Sequence, residues 1–257
     1  AGATIFLFVG KWEERKGIRM LIRAFYAFLS SLDEADLSKK NALLVIVTSA
    51  YHSTNQFDRE IKKILVEDGS LLKADTTGNT GNNKQYVLLT EIPQEHMPHL
   101  YSAATALVIP STGEGWGRPH VESMACGTPV VATAWSGPQS FLTSDNGYPL
   151  KVADMQAAAG WEGHRWAKPD EQHLVSILKE IHHEHQHQTG PGKEGGDSSL
   201  KLKGLQARKD MVENYSLSVF ADIMAAEVKR IERIAAAMVQ EEEEDERMDF
   251  DSENEEL

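Results

Sequence analysis

Short apolar runs alternate with amphipathic stretches along the first 150 residues of this 257-residue chain. Thr4 to Val9 is continuous and rich in Ile, Phe and Val, the pattern of a strand covered on both faces. After the turn Gly10 to Gly17, Ile18, Leu21, Ile22, Phe25, Phe28 and Leu29 recur at helical spacing. Leu43 to Val47 predicts a second buried strand and Phe57 to Val66 its return helix. Tyr86 to Leu89, Thr105 to Ile109 and Pro129 to Ala132 predict three further strands. Helices near Gln94 to Ala103 and Pro119 to Cys126 separate them. Such strand–helix alternation implies an α/β fold, a parallel sheet with helices on both faces.

Three stretches break the pattern. Residues 73–85 are rich in Gly, Asn and Thr, and residues 182–204 join a His-rich run to several glycines; both read as mobile insertions. Leu217, Phe220, Ile223, Met224, Val228, Ile231 and Ile234 outline a long helix, and beyond it the chain turns acidic. The plan is a domain over 1–235 and a disordered acidic tail over 236–257.

Charge sharpens that division. Eleven Asp and Glu against Arg247 in residues 241–257 give −10 of the formal −13, leaving −3 on residues 1–240. A nearly neutral body disfavours a nucleic-acid-binding surface without excluding a local cationic pocket. Cys126 is the single cysteine, so no intrachain disulfide can form. No apolar run approaches the roughly 20 residues of a membrane helix. No secretory signal opens the chain, so a cytoplasmic location is the expectation. The first residues already lie in an apolar run and lack Met, so an upstream segment is expected.

The densest chemistry is Ser111 to Glu122, where the fourth strand gives way to a helix. Ligands of open parallel sheets bind beyond the carboxyl ends of the strands. Glycines there let backbone N–H groups approach a ligand, and a helix N-terminus favours phosphate. Glu114 in the loop and Glu122 in the helix could meet two parts of one elongated ligand. A second loop, Gly10 to Gly17, brings Lys11, Arg15 and Lys16 to the same edge, where cations suit a diphosphate. Each motif alone also fits a plain solvated turn.

Together these segments resemble the C-terminal, nucleotide-sugar-binding half of a retaining GT-B glycosyltransferase, of the family called glycosyl transferases group 1. The marks are Val9-Gly10-Lys11, Lys16-Gly17, Pro110-Ser111, the Glu-x7-Glu pair Glu114/Glu122, and Glu122 to Ala132. The resemblance is close over residues 4 to 150 and weaker to about 235. It implies a Rossmann-like doubly wound sheet, one half of a GT-B fold whose N-terminal acceptor domain is absent here. It implies a UDP- or GDP-linked sugar as donor substrate, no cofactor, no metal and transfer of a hexose with retention. Lys11 and Lys16 would hold the diphosphate, Glu114 would face the donor sugar, and Glu122 would bind the ribose hydroxyls. Amides of Gly115, Trp116 and Gly117, with Gly10 and Gly137, would complete the donor site. The base would meet backbone near Thr90 to Ile92. Position 11 carries Lys where Arg is commoner, and Ser136-Gly137 stands in place of a Gly-Gly turn. The partner is a missing N-terminal domain or a companion subunit, and the acceptor is unknown. Alone, the chain is expected to bind donor weakly and transfer little.

Two rivals remain. A non-catalytic nucleotide-sugar-binding module, or a donor subunit paired with a separate acceptor subunit, shares every motif. Glycoside hydrolysis by two carboxylates leaves the cations and the glycine-rich helix start unexplained. Elsewhere, His182, His183, His185 and His187 read as a solvated helix end rather than a metal site, and Cys126 as a packed side chain. Trp161 and Trp166 read as packing before a helix.

Overall fold

A computed structural model describes residues 2–32, 41–50, 55–69, 85–158, 162–189 and 198–255, with side chains through 241. Except for Gln85, the expected insertion at 73–85 lies outside the described residues, as does Trp161. The chain divides into two units, Ala1–Met211 and Val212–Leu257.

The first unit is built on six parallel strands: β1 (Thr4–Val9), β2 (Ala42–Val47), β3 (Tyr86–Leu89), β4 (Ala106–Ile109), β5 (Val130–Thr133) and β6 (Gly147–Leu150). Their order is β3-β2-β1-β4-β5-β6. In-register pairing of Thr4 with Ala42 through Val9 with Val47 sets the centre, and β4 joins the other side of β1 at Phe6 and Leu7. Helices α1 (Ile18–Ser30), α2 (Phe57–Glu67), α3 (Met97–Ala103) and α4 (Arg118–Ala125) connect them. Later in the chain come α5 (Glu171–Thr189) and α6 (Ser199–Tyr215). The strand order reverses direction between β1 and β4. Right-handed crossovers therefore put α1 and α2 on one face and α4 on the other, and the two departing chains leave a crevice at the carboxyl edge. This is the Rossmann-like α/β arrangement expected.

Both sheet faces are covered, so Phe6, Phe8, Leu44, Ile46, Leu107 and Val131 are all buried. Phe6 meets Phe25 and Phe28 of α1 edge-on, with ring centroids 6.1 and 5.9 Å away. α5 packs against α1 through Leu174, Ile177, Leu178 and Ile181, all buried.

Three expectations need correction. The first half of the predicted insertion at 182–204 is helix: α5 runs on to Thr189, and α6 begins at Ser199. His182 is not solvated, because the i, i+4 spacing from Leu178 puts it on the buried face. It lies edge-on to Phe28 at 5.3 Å, with Nδ1 2.9 Å from the Thr4 hydroxyl. His183 and His187 do face solvent, their Nε2 atoms 2.8 Å apart. The segment containing Trp166 does precede a helix, α5, and is itself a strand: β7 (Val152–Ala157) and β8 (Arg165–Pro169) form a separate antiparallel hairpin. In the second unit, α7 (Leu217–Glu255) carries helical backbone through the acidic run expected to be disordered. Glu, Arg and Met are good helix formers, and no Gly or Pro interrupts them.

Candidate donor site

Where β1 ends, Gly10 N–H donates to the Val47 carbonyl at 3.1 Å, and Trp12 N–H to Ser49 at 2.9 Å. The Trp12 indole is buried against Phe57, with centroids 5.1 Å apart, and this pins the loop to β2 and α2. Lys11 stands exposed between those two anchors. A single 3-10 turn, Glu14–Lys16, then leads to Gly17 at φ +73°. A Cβ on Gly17 would fall on the Pro110 carbonyl oxygen, so glycine here lets the β1 loop lie directly against the end of β4.

That contact brings two predicted groups together. The Lys16 Nζ lies 2.8 Å from each carboxylate oxygen of Glu114. The Lys16 and Glu114 side chains are only 15% and 6% exposed, so this ion pair is poorly screened by water. Arg15, one of the three loop cations but given no role of its own by the resemblance, ties the same loops: its Nη1 donates to the Gly113 carbonyl at 2.6 Å and lies 3.4 Å from Glu114. Thr112 N–H closes the link on the Arg15 carbonyl at 2.9 Å.

The other wall is the turn after β5. Glu114 N–H donates to Ser136 Oγ at 2.9 Å, and Gly137 N–H donates to the Glu114 carbonyl at 3.0 Å. A Cβ on Gly137 would come within 2.8 Å of the Trp116 Cα and carbonyl oxygen, so the two turns touch through glycine. Ser136 takes φ +56° and ψ −137°, backbone that favours glycine, and a capping box with Gln139 holds it there. Glu91, just beyond β3, has φ +56°, another left-handed non-glycine residue at this edge.

Gly117, at φ +100°, starts α4, and Gly115 has nothing within 4 Å of a Cβ position. Trp116 is exposed and edge-on to Phe141 at 5.2 Å. Glu122 points to a second cluster, where Tyr101 Oη donates to its Oε2 at 2.9 Å and Arg118 Nη2 to Oε1 at 3.2 Å. Burial, and then the Glu122 carboxylate, hold the Tyr101 phenol well above its ordinary range. Tyr101 on α3 carried no sequence signal.

His120 lies wholly buried in the first turn of α4, its ring against the Gly117 backbone. A Cβ on Gly117 would sit 2.7 Å from its Nδ1, so the imidazole fills the space that residue 117 leaves. Burial pushes its pKa down to about 4, against a weaker upward pull from Glu114. Between about pH 6.5 and pH 4 the unfolded chain therefore binds a proton that the folded chain refuses, and stability falls as pH falls. The loss expected by pH 4 is about 3 kcal/mol. Urea denaturation across that window should show a shallower slope in His120→Gln; an unchanged slope would remove His120 from the account.

The family model for glycosyl transferases group 1 matches residues 1–160. D-inositol 3-phosphate glycosyltransferase 1 of Catenulispora acidiphila is 32% identical over 138 residues, which are 54% of this chain and 29% of that protein. Among solved structures, sucrose-phosphate synthase of Thermosynechococcus elongatus superposes with a TM-score of 0.63 at 20% identity, covering 90% of this chain and 46% of that one. Anabaena HepE, in complex with UDP and glucose, gives 0.62 at 16% identity, covering 90% and 49%. The chain thus spans less than a third of the curated relative and about half of each solved chain. With its six-stranded parallel sheet and carboxyl-edge loops, this chain belongs to the glycosyl transferases group 1 family and has the Rossmann-like fold of a GT-B half.

Proposed function

We propose that the chain binds a nucleoside diphosphate sugar at the β1–β4 crevice, for transfer of a hexose with retention and without a metal ion. The observation that carries this reading is the Lys16–Glu114 pair, held between two glycine-rich loops where the strand order reverses. An ammonium has three donors and the carboxylate engages two, which leaves one for a diphosphate oxygen. As the bond from the anomeric carbon to the diphosphate breaks, charge gathers on the departing oxygen, and Lys16 and Lys11 stabilise it. Glu114 faces the sugar, held by Lys16, Arg15 and the Ser136 turn. The amides of Gly115, Trp116 and Gly117 at the start of α4 bind sugar hydroxyls and phosphate, with Gly10 and Gly137 keeping the walls close. Glu122, oriented by Tyr101 and Arg118, accepts the ribose hydroxyls. The UDP and glucose bound by HepE support this donor class.

The ribose assignment has a direct test in calorimetry with UDP and 2′,3′-dideoxy-UDP. Wild type should prefer UDP by about 10–100-fold, the worth of hydrogen bonds to a charged group, and Glu122→Ala should bind both alike. A preference that persists in Glu122→Ala would sink it.

A further inference from the structure

The β7–β8 hairpin has no part in the donor site as described, yet it grows from the same edge of the sheet. β6 ends at Leu150 and the chain continues straight into β7, so the hairpin rises from the carboxyl end of the sheet. β8 then returns beside the β4 loop, where Ala167 N–H donates to the Thr112 carbonyl at 3.0 Å. Thr112 is two residues from Glu114 and is itself bonded to Arg15. The hairpin base is closed by Asp170 N–H on the Lys151 carbonyl at 2.9 Å. Toward the tip it is clamped by Arg165 Nη2 on the Met155 carbonyl at 3.0 Å and Ala158 N–H on His164 at 2.9 Å.

Residues opposite one another in an antiparallel ladder share a face. One face holds Ala167 and Pro169, both buried, opposite Met155 and Val152. The other holds Trp166 opposite Gln156, and Lys168 opposite Asp154. Gln156, Lys168 and Asp154 are exposed and Trp166 is half-buried. This second face carries an aromatic ring, an amide, an ammonium and a carboxylate, the last also accepting the Met155 N–H at 2.7 Å. A hexose has an apolar C–H face and a rim of hydroxyls that both donate and accept, and this face offers a complement to each.

We propose that the β7–β8 hairpin is the acceptor-side wall of the site, binding a carbohydrate acceptor through Trp166, with Gln156, Asp154 and Lys168 fixing its hydroxyls. This rests on the donor reading above. The hydrogen bond from Ala167 to Thr112 ties this platform to the loop carrying Glu114.

Saturation-transfer NMR with methyl α-D-mannopyranoside and methyl α-D-glucopyranoside, in the presence of UDP, tests the proposal. Wild type should transfer saturation to the C–H protons of at least one sugar. Trp166→Ala should weaken that sugar's binding about tenfold, as loss of an aromatic contact does, while UDP-glucose affinity stays within about twofold. Gln156→Ala, at an exposed position where folding is not at stake, should weaken the same sugar with the same donor result. Sugar binding undiminished in both variants, or absent from wild type, would overturn the proposal. So would an equal loss of UDP-glucose and sugar binding in Trp166→Ala, since the hairpin would then only brace the donor loop. Failure of wild type to bind UDP-glucose or GDP-mannose at all would instead remove the donor reading, and this inference with it.

Discussion

On the proposed mechanism, and with the expected acceptor domain or companion subunit supplied, Lys16→Ala is expected to lower sugar transfer by about 10²–10³-fold, the usual cost of removing one charge-stabilising donor from a site of developing negative charge. The same change is expected to weaken UDP by about 10–100-fold and leave uridine unaffected, because the role proposed for Lys16 is on the diphosphate and not on the base. Stability should change as well. Glu114 is only 9% exposed, and without Lys16 it keeps Arg15, whose Nη1 lies 3.4 Å from one oxygen. Leaving a buried carboxylate half-compensated costs about 1–3 kcal/mol, so the variant should stay folded at room temperature with a lower Tm. Lys16→Arg keeps the charge but replaces a point donor with a planar fork, and it should recover more UDP affinity than transfer rate. If Lys16→Ala weakened uridine as much as UDP, the lysine would be holding the loop and not the phosphates. Calorimetry for binding and nucleotide release for turnover separate the two roles.

Gly17→Ala is expected to cost about 3–5 kcal/mol of stability and to remove measurable donor binding. Left-handed backbone costs a side-chain-bearing residue about 1–2 kcal/mol by itself. The added Cβ would also meet the Pro110 carbonyl group, whose carbon lies 2.7 Å from that position, and this neighbour is backbone that cannot swing aside. The two loops must therefore separate. That pulls Lys16 from Glu114, Arg15 from Gly113 and Thr112 from Arg15, all of which bridge the same gap. Gly115→Ala is the matched control, since no atom lies within 4 Å of its Cβ position, and its stability should move by less than about 1 kcal/mol. Chemical denaturation of the pair reads the difference directly. Equal midpoints would mean that the close approach at Gly17 is not what holds the crevice.

Much of this architecture is legible in residue order because buried parallel strands need apolar side chains on both faces. Thr4 to Val9 and Tyr86 to Leu89 coincide with β1 and β3, and the runs for β2, β4 and β5 fall within one residue of the observed strands. β6 escaped that reading because it is an edge strand of four residues containing Gly147 and Pro149, tolerated only where one side lacks a partner. The β7–β8 hairpin escaped because Val152 to Ala157 has neither a sustained apolar run nor clean alternation, and most of its side chains are not buried. The His-rich run misled because histidine was taken as a surface residue, whereas His182 continues the apolar stripe of Leu178 and Ile181.

At the site, the loops could be found from sequence because the chain must turn at the carboxyl edge wherever a strand feeds a helix. Which charges would pair could not. Lys11 and Lys16 are equivalent as a pattern, but the 3-10 turn carries Lys16 to Glu114, while Lys11 stays exposed beside the Trp12 anchor. Arg15 and Tyr101 act through tertiary contacts with Gly113 and Glu122, from residues 98 and 21 positions away. Ser136 shows the opposite case. It stands in place of a Gly-Gly turn, and only the structure shows that its hydroxyl fixes the Glu114 amide in the strained turn it occupies.

On the proposed reading, the crevice between β1 and β4 receives a nucleoside diphosphate sugar without help from a metal ion. Titration calorimetry with UDP-glucose and GDP-mannose in the presence of EDTA tests it most directly. The expected result is saturable binding of one of the two at a single site, abolished in a Lys16→Ala/Glu122→Ala double variant. No heat from either sugar, binding that appears only when a divalent cation replaces EDTA, or undiminished binding by the double variant would contradict it.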